Sequence, residues 1–383
     1  MTAIHSTFTA TVRDLCSDGR GIVGHPGGRT FFVAGVWPGE EGLFKVMGLK
    51  GRAGFADLVA LHQASPHRVK PPCRYHGLDA SACGGCPWQF IDYPEQLRQK
   101  QSRVENSLQR IGVAQPILAI EPSPSPWGYR SRAQFKTDGV RLGLVARQSN
   151  ALVPVGHCAV LSAQNNLTLA QLQARLPCSD WKPAHRSQWT TLDIDESTTA
   201  DDVSVNRRLP FAQANAAQNR YMRQWLRQKL APLDKGHEVI ELFCGSGNFT
   251  QTIADAGFQR VVAVEAAAAA LDALRARALP GVDCLLQNLF AEAAFDNVFR
   301  AAPKARMLVL DPPREGLKNT AGLFGRHNSI ADVFYISCDL ATLTRDLQAF
   351  MAHHYRVVEV QPLDQFPHTP HIECLVHLRR TRR

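Results

Sequence analysis

The chain begins with short stretches in which apolar and polar residues alternate. STFTATV alternates over residues 6–12, Asp18-Gly19 makes a turn, and GIV follows. His25-Pro26-Gly27-Gly28 is a second turn before TFFVAGV. Pro38-Gly39 precedes GLFKVM, and Gly51 through Gly54 separate it from FADLVAL. Alternation with period two turns one strand face toward a core, and several short strands at even spacing predict a small β-barrel over residues 1–65. Barrels of this size often bind single-stranded nucleic acid on one face; a plain structural β-domain is the alternative.

Residues 66–94 are rich in Pro, Gly and Cys and lack the pattern of a packed core. EQLRQKQSRVENSLQRI, residues 95–111, predicts a basic helix stopped by Gly112, with Leu97, Val104, Leu108 and Ile111 on one face. WGYRSRAQFKTDGVRLGLVARQ interleaves Arg130, Arg132, Lys136, Arg141 and Arg147 with Trp127, Tyr129 and Phe135. That mixture suits phosphate contact with base stacking, or a basic β-meander whose aromatics are buried. From about residue 237 the pattern becomes strand–loop–helix. The strands are EVIELF, RVVAVE, CLLQ, ARMLVLD, VFYIS, VVEVQPL and CLVHLR. This alternation predicts a doubly wound α/β domain.

At 383 residues the chain is long enough for two or three domains. No apolar run approaches the roughly 20 residues of a membrane helix, and the N-terminus lacks the pattern of a signal peptide. The expectation is a cytoplasmic protein without membrane contact, in which ten cysteines serve as reduced thiols, metal ligands or catalysts. The net charge of +9 is uneven: residues 1–70 carry +3, residues 71–236 carry +7, and residues 237–383 carry −1. A basic front on a neutral back points to a polyanion held by one part and worked on by the other, or to a solvated basic surface.

The chemistry gathers at the strand ends of the back half. VIELF runs into Cys244-Gly245-Ser246-Gly247-Asn248-Phe249, and VVAVE ends on Glu265. A glycine turn lets backbone approach a nucleotide-like ligand, and an acid at the next strand end can accept from ribose hydroxyls. G-x-G without a third glycine, and Glu241 inside the first strand, suit S-adenosylmethionine better than a nicotinamide cofactor. Cys338 follows VFYIS and precedes a helix, where the helix terminus favours a thiolate. A buried inert thiol is the other reading, and Cys244 is a rival nucleophile. Cys73, Cys83, Cys86 and the distant Cys158 form a four-thiol set that suits a [4Fe–4S] cluster or zinc, and the spacing does not choose. Cys16, Cys178, Cys284 and Cys374 read as packing residues.

Five segments occur in one order: FAQAN (211–215), ELFCGSGNF (241–249), DPPR (311–314), ISC (336–338) and DQFPHTPHIE (364–373). Together they resemble the RNA 5-methyluridine methyltransferase family over nearly the whole chain. The resemblance implies a multidomain α/β enzyme. Residues 1–65 would be an OB-like TRAM barrel that binds RNA, residues 66–210 a central α+β domain with the cysteine set and a basic RNA-facing segment, and residues 211–383 a Rossmann-like class I methyltransferase domain. It implies that Gln213, Phe243, Asn248, Glu265, Asn288 and Asp311 contact S-adenosylmethionine, that Cys338 is the nucleophile, and that Glu373 is the proton acceptor. It favours a [4Fe–4S] cluster on Cys73, Cys83, Cys86 and Cys158, with a local insertion between Cys73 and Cys83. It implies methyl transfer to carbon 5 of a uridine, with 23S ribosomal RNA as the partner and no obligate protein partner. A transfer RNA enzyme, or a non-catalytic RNA-binding protein on the same fold, are the alternatives. Asp339-Leu340 after Cys338, and the alanines 266–270, depart from the family pattern without touching a named role.

Overall fold

The structure is a computed structural model, and it describes residues 3–381 except 80, 148, 319, 326 and 327. The chain divides into two units. One holds residues 1–98, 125–209 and 366–371; the other holds 99–124, 210–365 and 372–383.

In the first unit β1 (Thr7–Leu15), β2 (Gly21–Gly24), β3 (Thr30–Val33), β4 (Glu41–Lys50) and β5 (Ala53–Gln63) close a barrel in the order β1-β2-β3-β5-β4. The alternation seen in the sequence becomes its filling: Phe8, Val12, Val23, Phe31, Val33, Phe44, Val46 and Ala56 form one buried cluster. Helix α1 (Tyr93–Gln109) spans the division between the units and ends before Gly112, whose φ is +80°. Its buried face differs from the expected stripe. Leu97 is only half-buried, while Gln96, Gln99 and Lys100 join Val104 and Leu108 inside.

The rest of the first unit is an antiparallel sheet of β6 (Arg132–Thr137), β7 (Leu142–Val145), β8 (Leu152–Pro154), β9 (Thr190–Asp195) and β10 (Ser204–Val205), in the order β10-β9-β6-β7-β8. Helix α2 (Ala163–Ala174) places Leu169 and Leu172 in one cluster with Phe135, Trp181, Leu192 and Ile194. Tyr129 and Phe135 are therefore core residues and offer no face to a base. Two of the basic side chains are ion-paired locally: Arg132 with Asp193 at 2.7 Å, Arg141 with Asp138 at 2.7 Å. Burying the Tyr129 and Phe135 rings outweighs displaying them, while Trp127 is only half-buried.

The second unit contains α3 (Ala216–Leu230), β11 (Glu238–Leu242), α4 (Asn248–Asp255), β12 (Arg260–Glu265), α5 (Ala268–Arg275), β13 (Val282–Leu286), α6 (Ala294–Ala301), β14 (Ala305–Leu310), α7 (Thr320–Leu323), β15 (Asp332–Ser337), α8 (Leu340–Ala352), β16 (Tyr355–Leu363) and β17 (Glu373–Arg380). Seven strands form one sheet in the order β13-β12-β11-β14-β15-β17-β16. β13, β12, β11, β14 and β15 are parallel, and β17 runs antiparallel to both β15 and β16. Every residue of β15 is buried, as expected for a strand covered on both faces. Alternate residues feed separate cores: Ile240, Val262, Leu308 and Tyr335 on one side, Val239, Val261, Met307 and Phe334 on the other. Among the described residues, no helix is long and apolar enough to cross a membrane.

Candidate active site

The carboxyl edge of the parallel sheet collects the chemistry, because every βα loop emerges there. After Leu242 the chain turns sharply: Phe243, Gly245 and Gly247 have φ of +60°, +53° and +94°. Gly247 caps α4 at a φ of +94°, where any side chain would be strained, so this position favours glycine. A Cβ on Gly245 would meet nothing within 4 Å, so that side of the loop faces open space. Arg277 braces the loop from behind, donating to the carbonyls of Ser246 (3.0 Å) and Gly247 (2.7 Å).

Glu265 ends β12 beside this loop. One carboxylate oxygen accepts from Gly245 N–H (3.1 Å), the other from Ala266 and Ala267 N–H (2.7 and 2.9 Å). Asn248 exchanges amide hydrogen bonds with Asn219 on α3 (2.9 and 3.0 Å). Asn288, after β13, is exposed, and its side chain accepts from Phe290 N–H at 3.0 Å. The rings of Phe290 and Phe243 lie 5.9 Å apart. Gln213 accepts from Gln365 Nε2 at 3.0 Å. Behind the loop Glu241 is buried, one of its oxygens accepts no hydrogen bond, and burial with the charge of Asp311 pushes its carboxyl up to about 8.

Asp311, Cys338 and Glu373 come together at the same edge from three strands. Asp311 follows β14 and Cys338 follows β15, and Leu310 pairs with Tyr335 across those parallel strands. β17 runs the other way, so it begins where β15 ends. Ser337 pairs with Cys374, and the next step of that register sets Cys338 opposite Glu373. Glu373 is buried, and its Oε1 has no hydrogen-bond partner.

The electrostatics run against the helix-terminus expectation for Cys338. Burial pushes its thiol up to about 12, with Glu373 and Asp311 adding to the effect and Arg314 opposing it. The terminus of α8 is capped by the Asp339 carboxylate, which accepts from Thr342 N–H (2.9 Å) and itself raises the thiol. Burial likewise lifts Glu373 well above the usual carboxylate range and Asp311 to about 7. The thiol is therefore neutral near pH 7, and thiolate forms only as pH rises. Alkylation of Cys338 by iodoacetamide is expected to climb about tenfold per pH unit between pH 7 and 10, with no plateau. Removing the neighbouring charge by Asp311→Asn should raise the rate at fixed pH. A plateau near pH 8, read by mass spectrometry of the Cys338 peptide, would contradict this. Cys244, the rival, is buried against Ala263, Leu271 and Leu274, and burial pushes its thiol still further up. It is a packing residue.

In the first unit Cys73, Cys83, Cys86 and Cys158 are near neighbours. Cys83 feels Cys158 and Cys73, Cys86 feels Cys158 and Cys83, and Cys158 feels Cys73; Arg130 favours the thiolates of Cys83, Cys86 and Cys158. Cys83 bridges to His76 and Ala146, and Asn166 of α2 fixes the Cys158 turn through the backbone N–H and C=O of Cys158 (2.9 and 3.0 Å). Among the described residues no three metal-binding side chains close on a single ion.

A family model described as tRNA (Uracil-5-)-methyltransferase matches residues 190–283 and 300–381. An uncharacterized RNA methyltransferase of Nitrosomonas europaea is 40% identical over 96% of this chain and 95% of its own length. A 23S rRNA (uracil(1939)-C(5))-methyltransferase of Pseudomonas entomophila is 30% identical over 95% of this chain and 92% of its own. The chain belongs to the RNA (uracil-5-)-methyltransferase family. The crystal structure of Pyrococcus abyssi tRNA (uracil-54, C5)-methyltransferase with S-adenosyl-L-homocysteine shares the fold, with a TM-score of 0.69 over 97% of this chain and 100% of that one, at 19% identity.

As an S-adenosylmethionine-dependent methyltransferase, the chain needs an open glycine loop, a ribose acceptor and room at the sheet edge. Gly245, whose outer side faces open space, fits the first of these needs. Two features of this methyltransferase were absent from the sequence reading. Arg277 carried no local signal. Lys100 did: it lies between Leu97 and Val104 at helical spacing, so a cation interrupts an apolar stripe, and such a residue must find a buried partner.

Proposed function

We propose that the chain transfers a methyl group to carbon 5 of a uridine in 23S ribosomal RNA. The observation that carries the reading is the thiol–carboxylate pair Cys338 and Glu373, set opposite each other at the sheet edge beside Asp311. S-adenosylmethionine supplies the methyl as an electrophilic sulfonium. Gln213, Phe243, Asn248, Glu265, Asn288 and Asp311 hold it.

Carbon 5 of uracil is a poor nucleophile. Cys338 loses its thiol proton to solvent and adds as thiolate to carbon 6, and the electrons of the ring double bond make carbon 5 nucleophilic. Carbon 5 takes the methyl and still bears its hydrogen. Glu373 removes that proton, the double bond reforms, and Cys338 leaves as thiolate. A target inside a helix must leave its stack to reach these residues. The ribosomal target rests on relatives such as the Pseudomonas entomophila enzyme.

On this reading residues 1–65 are an RNA-docking TRAM barrel, 66–210 a central domain and 211–383 the catalytic domain. The closed five-stranded barrel supports the first of these. Cys73, Cys83, Cys86 and Cys158 hold a [4Fe–4S] cluster. Zinc would draw its thiolates to about 3.8 Å from one another, given Zn–S bonds of about 2.3 Å in a tetrahedron. A cluster spreads its four thiolates over four irons. Protein purified without oxygen is expected to be brown with about four irons per chain, one per thiolate. Cys86→Ser should lose most of the colour. Colourless protein with one zinc would overturn the assignment.

The test of function is methyl transfer from labelled S-adenosylmethionine to transcripts of 23S ribosomal RNA and of transfer RNA, followed by mapping of 5-methyluridine. Label in ribosomal RNA is expected. Label only in transfer RNA would overturn the target, and label in neither would overturn the reaction.

A further inference from the structure

We infer that Lys100 and Asp364 form a positioning pair that sets the general base Glu373, an inference that rests on the uracil-5 methylation reading. Lys100 Nζ donates to Asp364 Oδ1 at 2.5 Å, and both side chains are wholly buried. Neither group touches the reacting atoms in the proposed mechanism. Burying two ions is costly, and a well-packed apolar pair of similar volume is often as stable or more so. Such a pair is explained by what it locates, and its place in the chain shows what that is.

Asp364 directly follows Leu363, the last residue of β16, and Leu363 is the cross-strand partner of Glu373 at the start of β17. Glu373 thus has one strand on each side: β15, which carries the nucleophile, and the end of β16, which the ion pair anchors. Between Gln365 and Ile372 the chain leaves this unit, since residues 366–371 belong to the other. The anchor sits on the last part of the unit before that excursion.

The surrounding bonds serve the same stretch. Asp364 N–H donates to Glu121 O (2.9 Å), and its carbonyl accepts from Gln218 Nε2 (3.2 Å). The Gln365 carbonyl accepts from Asn215 Nδ2 (3.2 Å), and the Gln365 side chain donates to Gln213 (3.0 Å). One short stretch is tied to α1, to α3 and to a cofactor-side residue, and Lys100–Asp364 is a charged tie among these. The cation therefore acts on proton removal by holding the strand that faces the base. Methyl transfer, which turns on Cys338 and the glycine loop, should respond less.

The test uses the full chain in four forms: wild type, Glu373→Gln, Lys100→Arg and the double variant Lys100→Met with Asp364→Leu. Quenched reactions with labelled S-adenosylmethionine and RNA give the rate of methyl transfer and the lifetime of the covalent protein–RNA adduct. Thermal unfolding and S-adenosylhomocysteine affinity are read alongside. The double variant should fold and bind S-adenosylhomocysteine as wild type does, because no lone charge is left behind. Its methyl transfer should be little changed, while its adduct lives about 10- to 100-fold longer, the cost of a base displaced by a fraction of an ångström to one ångström. Lys100→Arg should lengthen the lifetime less. Adduct release at the wild-type rate in a folded double variant overturns the proposal, and so does an equal slowing of transfer and release. If the double variant does not fold, Lys100→Arg decides: a selectively longer adduct lifetime sustains the pair, and an unchanged one overturns it. A wild-type chain that makes no 5-methyluridine, with no adduct in Glu373→Gln, sinks the reaction reading instead and is told apart by that pattern.

Discussion

Glu373→Gln is expected to trap the enzyme on its RNA. The amide matches the carboxylate in size, so the strand pairing with Cys374 opposite Ser337 and with Leu363 survives. Cys338 can still add at carbon 6, and carbon 5 can still take the methyl. The hydrogen on carbon 5 then has no acceptor, because a neutral amide does not take a proton from carbon. Elimination should slow by about 10²- to 10⁴-fold, the usual worth of a positioned base. A methylated protein–RNA adduct should accumulate as a band that survives denaturation and carries label from S-adenosylmethionine. Turnover at the wild-type rate would show that Glu373 is not the base.

Cys338→Ala should abolish methylation and leave no covalent species at any time. Without a thiol at carbon 6, carbon 5 is never made nucleophilic, and no nearby group replaces it. Cys244 is buried against Ala263 and Leu271, and Cys374, one residue after Glu373, is buried as well. S-adenosylhomocysteine affinity should be unchanged, since Glu265 and the glycine loop are untouched. Cys338→Ala combined with Glu373→Gln should remove the adduct seen with Glu373→Gln alone. An adduct that persists in Cys338→Ala would identify another thiol as the nucleophile.

The barrel strands and the seven strands of the catalytic unit could be read from local pattern. Period-two burial and continuous apolar runs are properties of a few adjacent residues, and turns such as Asp18-Gly19 and Pro38-Gly39 need specific residues for their backbone angles. The glycine loop was legible for the same reason: Gly245 and Gly247 hold positive φ that few other residues adopt. The ends of the strands located Glu265, Asp311 and Cys338, because loops at one edge of a parallel sheet carry the ligand.

Spatial neighbours and charge states were decided by the tertiary structure. That β17 inserts antiparallel between β15 and β16, and so brings Glu373 opposite Cys338, is a long-range pairing that no local window contains. The same holds for Lys100 and Asp364, which are remote in sequence and share one buried bond. Helix periodicity marked Leu97 as a core position, yet a polar face of Gln96, Gln99 and Lys100 was buried instead, because partners on other segments satisfied it. A helix terminus suggested a thiolate at Cys338; burial and the carboxylates of Glu373 and Asp311 outweighed it, since desolvation depends on everything packed around a group. Residue types and local spacing determined which elements form and which chemistry they can carry; the packing of distant segments decided which groups meet, and in what state of charge.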